Sequence, residues 1–165
     1  MIATAEVQFY DVVLFFHILS VVLAFGPTFA YGLFIAVAQR EGGAAVPAVG
    51  RAIGQWDKTA GTVGMTVILI SGLYMATNDT YAWDFGNFFI SWGFVAILVL
   101  FGLVHGYFGP QTRKAVALAE RDLGEGDGTL SSEFETVSSQ LAKVGSVAGI
   151  IVILTIYVMT AKPFL

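Results

Sequence analysis

Four stretches of the chain contain no Asp, Glu, Lys or Arg: residues 12–39, 59–78, 85–112 and 144–161. Each is dominated by Val, Ile, Leu, Phe, Ala and Gly, and each is long enough to cross a bilayer, for which a helix needs about 20 apolar residues, with a range of about 17–25. The second and fourth fit that length closely. The first and third exceed it and are expected to tilt or to protrude on one side. Backbone groups in lipid must be paired within their own segment, which makes these stretches helices. A β-barrel would instead show shorter segments of alternating polarity, and none is visible. The pattern therefore predicts an all-α polytopic membrane protein, a four-helix transmembrane bundle in a single domain over 1–165. Its helices are expected near 9–39, 58–78, 86–122 and 132–161, with loops 40–57 and 123–131 on one side of the membrane.

Composition narrows the picture. Hydrophobic residues make up 56% of the chain, charged residues 12%, and mean hydropathy is +0.77. A soluble domain carries roughly 25% charged residues, so a lipid solvent is the natural environment. The net charge of −4 and pI of about 4.9 argue against nucleic acid as a partner. With no cysteine, disulfides, iron–sulfur clusters and thiolate chemistry are excluded. The first charges are Glu6 and Asp11, where a cleavable signal peptide would be basic, so the first span is expected to stay in the mature protein.

Lys and Arg set the expected orientation. Arg40, Arg51 and Lys58 follow the first span, and Arg113, Lys114, Arg121 and Lys143 lie between the third and fourth. The connection 78–86 has none, and the C-terminus has only Lys162. Both termini are expected outside and both longer loops in the cytoplasm, with Tyr81, Trp83 and Trp92 near the outer interface and Trp56 near the inner one. Residues 42–54, with Pro47, read as a flexible loop or a short interfacial helix. Residues 115–123 extend the third helix until Gly124, Gly126 and Gly128 end it, and Ser132 with Glu135 reads as a capping box opening the last helix. Asp122, Glu125, Asp127, Glu133 and Glu135 do not match the spacing of an EF-hand and read as a solvated acidic loop.

Membrane helices associate through close backbone approach at small residues. Ser20, Ala24, Thr28, Gly32 and Ala36 recur every four residues, as do Ala60, Gly64, Gly72 and Ala76 with Ile68 interposed. Gly102 with Gly106 and Gly145 with Gly149 have G-x-x-x-G spacing and would let the third and fourth spans touch as an antiparallel pair. Such stripes suit bundle packing, a homo-oligomer seam or a slot for a flat cofactor. Pro27 after Gly26 is expected to kink the first helix.

Polar groups inside a membrane are costly, so they are where function is sought. No carboxylate lies in the four runs, which weakens a proton-pump or ion-coupled transporter reading. Both histidines, His17 and His105, do lie in them. Either a histidine is hydrogen-bonded across the bundle or it ligates a metal, above all haem iron. His17 falls roughly 9 Å inside the outer interface and His105 roughly 28 Å, at 1.5 Å per residue. Two axial ligands of one haem stand within about 4 Å of each other, given iron–nitrogen bonds near 2 Å. A single haem held by both is therefore not expected. The alternatives are a haem b at His17, with Met75 as a candidate sixth ligand, or two separate sites at His17 and His105. Copper transport is disfavoured, because Cys is absent and Met65, Met75 and Met159 are isolated.

The run Phe16-His17-Ile18-Leu19-Ser20-Val21-Val22, with Gly26 and a basic loop after Ala38, resembles the first helix of a broad bacterial group. That group includes HemJ-type protoporphyrinogen oxidases, the membrane part of copper resistance protein D and small uncharacterised four-helix proteins. Residues 66–74 resemble its second helix, and Gly102-Leu103-Val104-His105-Gly106 resembles its third. The resemblance implies a bacterial inner membrane and a haem role for His17. The oxidases also carry a His-x-Lys setting early in the third helix, where this chain has Phe88-Phe89-Ile90-Ser91-Trp92. The resemblance therefore does not extend to oxidase chemistry. The sequence leaves a haem-binding redox protein beside a non-enzymatic complex subunit, assembly factor or oligomeric channel or transporter component. The expected partners are the lipid bilayer and a homo-oligomer or another membrane protein.

Single cysteines in the cysteine-free chain test the orientation. Gln8→Cys is expected to react with a membrane-impermeant maleimide in intact cells, and Glu41→Cys only after permeabilisation; the opposite pattern overturns the assignment.

Overall fold

The computed structural model describes residues 7–78, 85–125 and 129–164. Glu6, Tyr81, Trp83, Gly126, Asp127 and Gly128, to which the sequence reading gave roles, lie outside the described residues. The described residues form seven α-helices: α1 (Phe9–Phe25), α2 (Thr28–Arg40), α3 (Val46–Trp56), α4 (Thr62–Thr77), α5 (Phe88–Leu103), α6 (Gly109–Glu125) and α7 (Ser132–Ala161). π-helical turns at Asp57–Gly61 and Val104–Phe108 join α3 to α4 and α5 to α6. Among the described residues there is no strand. Among the described residues four continuous helical stretches are long and apolar enough to cross a membrane: Phe9–Arg40, Val46–Thr77, Phe88–Gly124 and Ser132–Ala161. Only 11% to 33% of each apolar window is buried inside the bundle, so most of the apolar surface is left for lipid to cover.

The first span breaks where Pro27, lacking an N–H, interrupts the ladder. Thr28 Oγ1 donates to the Phe25 carbonyl at 2.7 Å and satisfies a group freed by the break. Gly42 and Gly43, at φ of +91° and +78°, make the sharp turn into α3, a backbone region that glycine enters without steric cost. The stretch read as a loop over 40–57 is thus a loop only as far as Ala45. Val46–Trp56 is helical and runs into the second span. Pro47 is tolerated in its first turn, where no intrahelical N–H is needed.

Three apolar layers stack along the bundle. The middle one joins Ala24, Phe25, Met65, Ile68, Ile97, Leu100 and Val152. At the end carrying the basic loops, Ala38, Val46, Ala119, Phe134 and Val137 pack α3 and α6 against α7. At the end carrying the termini, Ala76, Phe89, Ile90 and Val158 form a smaller cluster.

The small-residue stripes are used unequally. A Cβ on Gly64 would come within 3.0 Å of the Ala24 Cβ and 3.1 Å of the Ser20 carbonyl, so α1 and α4 meet there backbone to backbone. Gly102, Gly106 and Gly145, by contrast, face open space, and Gly149 meets Phe29 of α2. The contact between the third and fourth spans expected at those glycines lies elsewhere. At the terminal end Trp92 Nε1 donates to Thr155 Oγ1 at 3.1 Å, and the Met159 methyl packs onto Gly93. Trp92 is therefore a strut between α5 and α7, and the buried Trp56 indole N–H has no partner among the described residues. G-x-x-x-G spacing marks a face that permits close approach without saying that a neighbour uses it.

The last helix also starts one residue earlier than its capping-box reading. Ser131, not Ser132, is the N-cap, its Oγ accepting from the Phe134 amide at 3.3 Å. Asp122, read as part of a solvated loop, is a latch instead. Its Oδ2 accepts from the Ser131 amide at 2.8 Å while its Oδ1 takes the Arg121 guanidinium at 2.8 Å.

Gly64→Leu is expected to destabilise the bundle by about 1–3 kcal/mol through overpacking. Gly102→Ala, which enters open space, should be neutral or slightly stabilising. Unfolding of the two variants in detergent, followed by tryptophan fluorescence, checks the contrast.

Candidate functional site

A cavity of about 790 Å³ opens in the terminal half of the bundle, between α1, α4, α5 and α7. It falls within the range of about 300–1,000 Å³ typical of small-molecule and cofactor sites. Its walls are almost wholly apolar, with Phe25, Ile68, Phe89, Ile97 and Leu100 at the back. Leu14, Ile18 and Val22 of α1 and Ile156 of α7 also line it and are exposed on the bundle surface. The cavity therefore opens sideways between α1 and α7, toward lipid. It exists because α1 is drawn tightly to α4 through Gly64 while α7 is held to α5 through Trp92 and Met159.

His17 is the one ring nitrogen donor–acceptor group in the wall, and its orientation follows from its partner. Ser71 is buried on α4, and its single hydroxyl proton goes to the Val67 carbonyl at 2.5 Å. The Ser71 oxygen is then an acceptor, and it stands 2.9 Å from His17 Nδ1. With the Ser71 proton committed to Val67, the tautomer that satisfies this contact carries the imidazole proton on Nδ1. Gly72 lies against the ring: a Cβ there would meet His17 Cε1 at 3.5 Å. A histidine whose other nitrogen is fixed in this way is the arrangement that metal-binding imidazoles use.

Met75 and Met159 both line the same cavity, from α4 and α7 respectively. Met65, in contrast, is fully buried in the middle apolar layer and serves packing. Lys162 lines the terminal mouth, its ammonium 5.4 Å from the centre of the Phe89 ring. Partial burial there pulls its pKa below the usual lysine value.

His105 belongs to a different place. It sits on the second π-helical turn, stacked on Phe101 at 4.6 Å, with Nε2 3.4 Å from Thr62 Oγ1. It lines a second cavity of about 380 Å³ at the basic end, together with Asp57, Lys58 and Arg113. The α4 partners of the two histidines, Ser71 and Thr62, are nine residues apart, or roughly 13 Å along a helix. The structure thus brings His17 and Met75 to one cavity and leaves His105 at the other. Among the described residues no group of three or more His, Cys, Asp or Glu could hold a metal ion.

Sequence reasoning missed Ser71, Met159 and Lys162. A hydroxyl directly before Gly72 on the small-residue stripe was the available signal for Ser71. Nothing in the sequence marked the other two.

The family described as predicted integral membrane protein (DUF2269) matches residues 11–163, and the chain belongs to that family. Neither a curated protein nor a solved structure matches it.

With only two histidines in the chain, ¹⁵N-histidine labelling reads the tautomers directly. His17 is expected as the Nδ1–H form, and Ser71→Ala should abolish that preference. The same substitution should cost about 1–3 kcal/mol of stability by leaving a buried donor unpaired. A wild-type Nε2–H signal for His17 would contradict the assignment.

Proposed function

We propose that this member of the DUF2269 family is a b-type haem protein of a bacterial inner membrane, with haem in the cavity between α1, α4, α5 and α7 and His17 Nε2 as an axial ligand. The basic loops face the cytoplasm and both termini lie outside. One observation carries the reading: the Nδ1 of His17 is committed to Ser71, so the nitrogen left to face a ligand is the one with a lone pair. The resemblance of the first-helix motif around His17 to HemJ-type proteins points the same way. The absence of their His-x-Lys setting favours electron transfer over substrate oxidation.

The remaining residues fit such a group. Apolar walls exclude water and favour a hydrophobic macrocycle. Gly72 makes room for the His17 ring and Gly93 for the Met159 methyl, and Met75 and Met159, which line the same cavity, are side chains that could supply a soft ligand. Lys162, at the aqueous mouth, suits a propionate carboxylate. When bound, haem would supply reversible one-electron chemistry. The chain's part is to hold the imidazole neutral and in one orientation, so that its lone pair is available without a change of proton.

The visible spectrum of protein expressed with haem supply tests this. A Soret band with reduced α and β bands is expected, lost in His17→Ala and unchanged in His105→Ala. Ser71→Ala should keep the bands but weaken haem retention by about 10–100-fold, as loss of an outer partner does at metal sites. A colourless wild-type protein overturns the reading. The cavity would then fall to lipid chains, and the protein to a non-enzymatic role as a complex subunit or assembly factor.

A further inference from the structure

The smaller cavity lies at a defined level. Lys58 immediately precedes the charge-free run that begins at residue 59, and Arg113 immediately follows the one that ends at residue 112. Both line the same cavity of about 380 Å³. Two cations from different spans thus converge where apolar side chains give way to polar ones, which is the depth of lipid headgroups.

The charges around the cavity are unevenly committed. Glu120 is taken by Arg51 in an ion pair. Asp57 accepts a hydrogen bond from Tyr31 at 2.9 Å. His105 is engaged with Thr62. Lys58 and Arg113 have no ion-pair partner among the described residues. Three cations, Arg51, Lys58 and Arg113, line the cavity against two carboxylates, Asp57 and Glu120; the Arg51–Glu120 pair cancels, which leaves Lys58 and Arg113 against Asp57 and a positive balance.

The space is built as well as charged. Gly50, Gly54 and Gly109 line it, and a Cβ on Gly50 would come within 2.6 Å of Val116. α3 can therefore lie close against α6 while leaving a hollow above the contact. Arg113 folds over Gly109, its guanidinium 3.7 Å from where a Cβ would stand. The π-helical turn at Val104–Phe108 sets His105 into the same wall, and such turns occur frequently at functional sites.

We infer that this cavity binds a phosphate group, held by the Lys58 ammonium and the Arg113 guanidinium and presented by an anionic lipid headgroup or by a phosphate free in solution. Guanidinium and ammonium groups are the usual partners of phosphate oxygens, and basic pockets between membrane helices take anionic headgroups. The site is independent of the haem reading, because it lies at the opposite end of the bundle and shares no lining residue with the larger cavity.

Native mass spectrometry of the full chain in neutral detergent, titrated with phosphatidylglycerol or phosphatidylcholine, tests it. Wild-type protein is expected to retain phosphatidylglycerol at least tenfold more tightly than phosphatidylcholine. The double variant Lys58→Gln/Arg113→Gln should lose that preference, while Arg40→Gln/Lys143→Gln, which alters cations elsewhere, should keep it. Both cations of the site are exposed and outside any ion pair, so folding of the first variant can be verified by its unfolding midpoint in phosphatidylcholine. Displacement of the lipid by millimolar inorganic phosphate would identify the phosphate itself as the recognised group; resistance to displacement would assign the lipid as its source. Equal retention of both lipids by the wild type, or an undiminished preference in Lys58→Gln/Arg113→Gln, overturns the inference.

Discussion

A hydroxyl that donates to a carbonyl of its own helix and accepts from a ring nitrogen of the next is the interaction on which this bundle turns. It occurs three times. Ser71 gives its proton to Val67 and receives His17. Thr62 gives to Asp57 and receives His105. Thr155 gives to Ile151 and receives Trp92. Thr66, Ser146 and Thr160 bond back to their own helices, whereas the Tyr31 hydroxyl crosses from α2 to the Asp57 carboxylate at 2.9 Å. In lipid no water competes for these groups, so each donor must find an internal acceptor. The three crossings tie α4 to α1, α4 to the turn after α5, and α5 to α7. They fix helix register as well as proton positions.

Those ties leave the larger cavity as their geometric remainder. α1 follows α4, drawn in by His17 and the close contact at Gly64. α7 follows α5, drawn in by Trp92 and by Met159 seated on Gly93. The pairs are joined in the middle layer by Met65, Ile97 and Val152 and again at the terminal end, where Ala76 of α4 packs with Phe89, Ile90 and Val158, while α1 and α7 leave the cavity open between them. The imidazole that holds one pair together therefore also faces the gap between the pairs. The ring edge that bonds Ser71 is the structural one, and the ring also lines the cavity.

Much of this architecture was legible in the sequence because the solvent is lipid. Runs free of charge identify the spans, and the rarity of histidine in them pointed to His17 and His105. What was not legible depends on which face of a helix meets a neighbour. Gly64 and Gly102 look alike in the sequence, yet one lies against α1 and the other against nothing. Glycines and scattered charges left residues 42–54 between a flexible loop and a short helix, and the packing of Gly50 onto Val116 of α6 accounts for the helix. Of two adjacent serines the sequence favoured Ser132 as the cap of α7, through its spacing to Glu135, but the cap is Ser131, whose amide Asp122 holds. Ser71 is marked only by its place before Gly72 on the small-residue stripe, and its role comes from the ring opposite it.

The two cavities divide the protein chemically. The terminal end is apolar with a single neutral imidazole, suited to a hydrophobic group approached through lipid. The basic end is charged and sits at the headgroup level. The central claim concerns the first, and the position of iron tests it most directly. In crystals of protein loaded with haem, anomalous scattering at the iron edge should give one peak within bonding distance of His17 Nε2, roughly 2 Å away, inside the cavity between α1, α4, α5 and α7. An iron peak at His105 or outside the bundle, or a cavity filled by continuous lipid density with no iron, would contradict it.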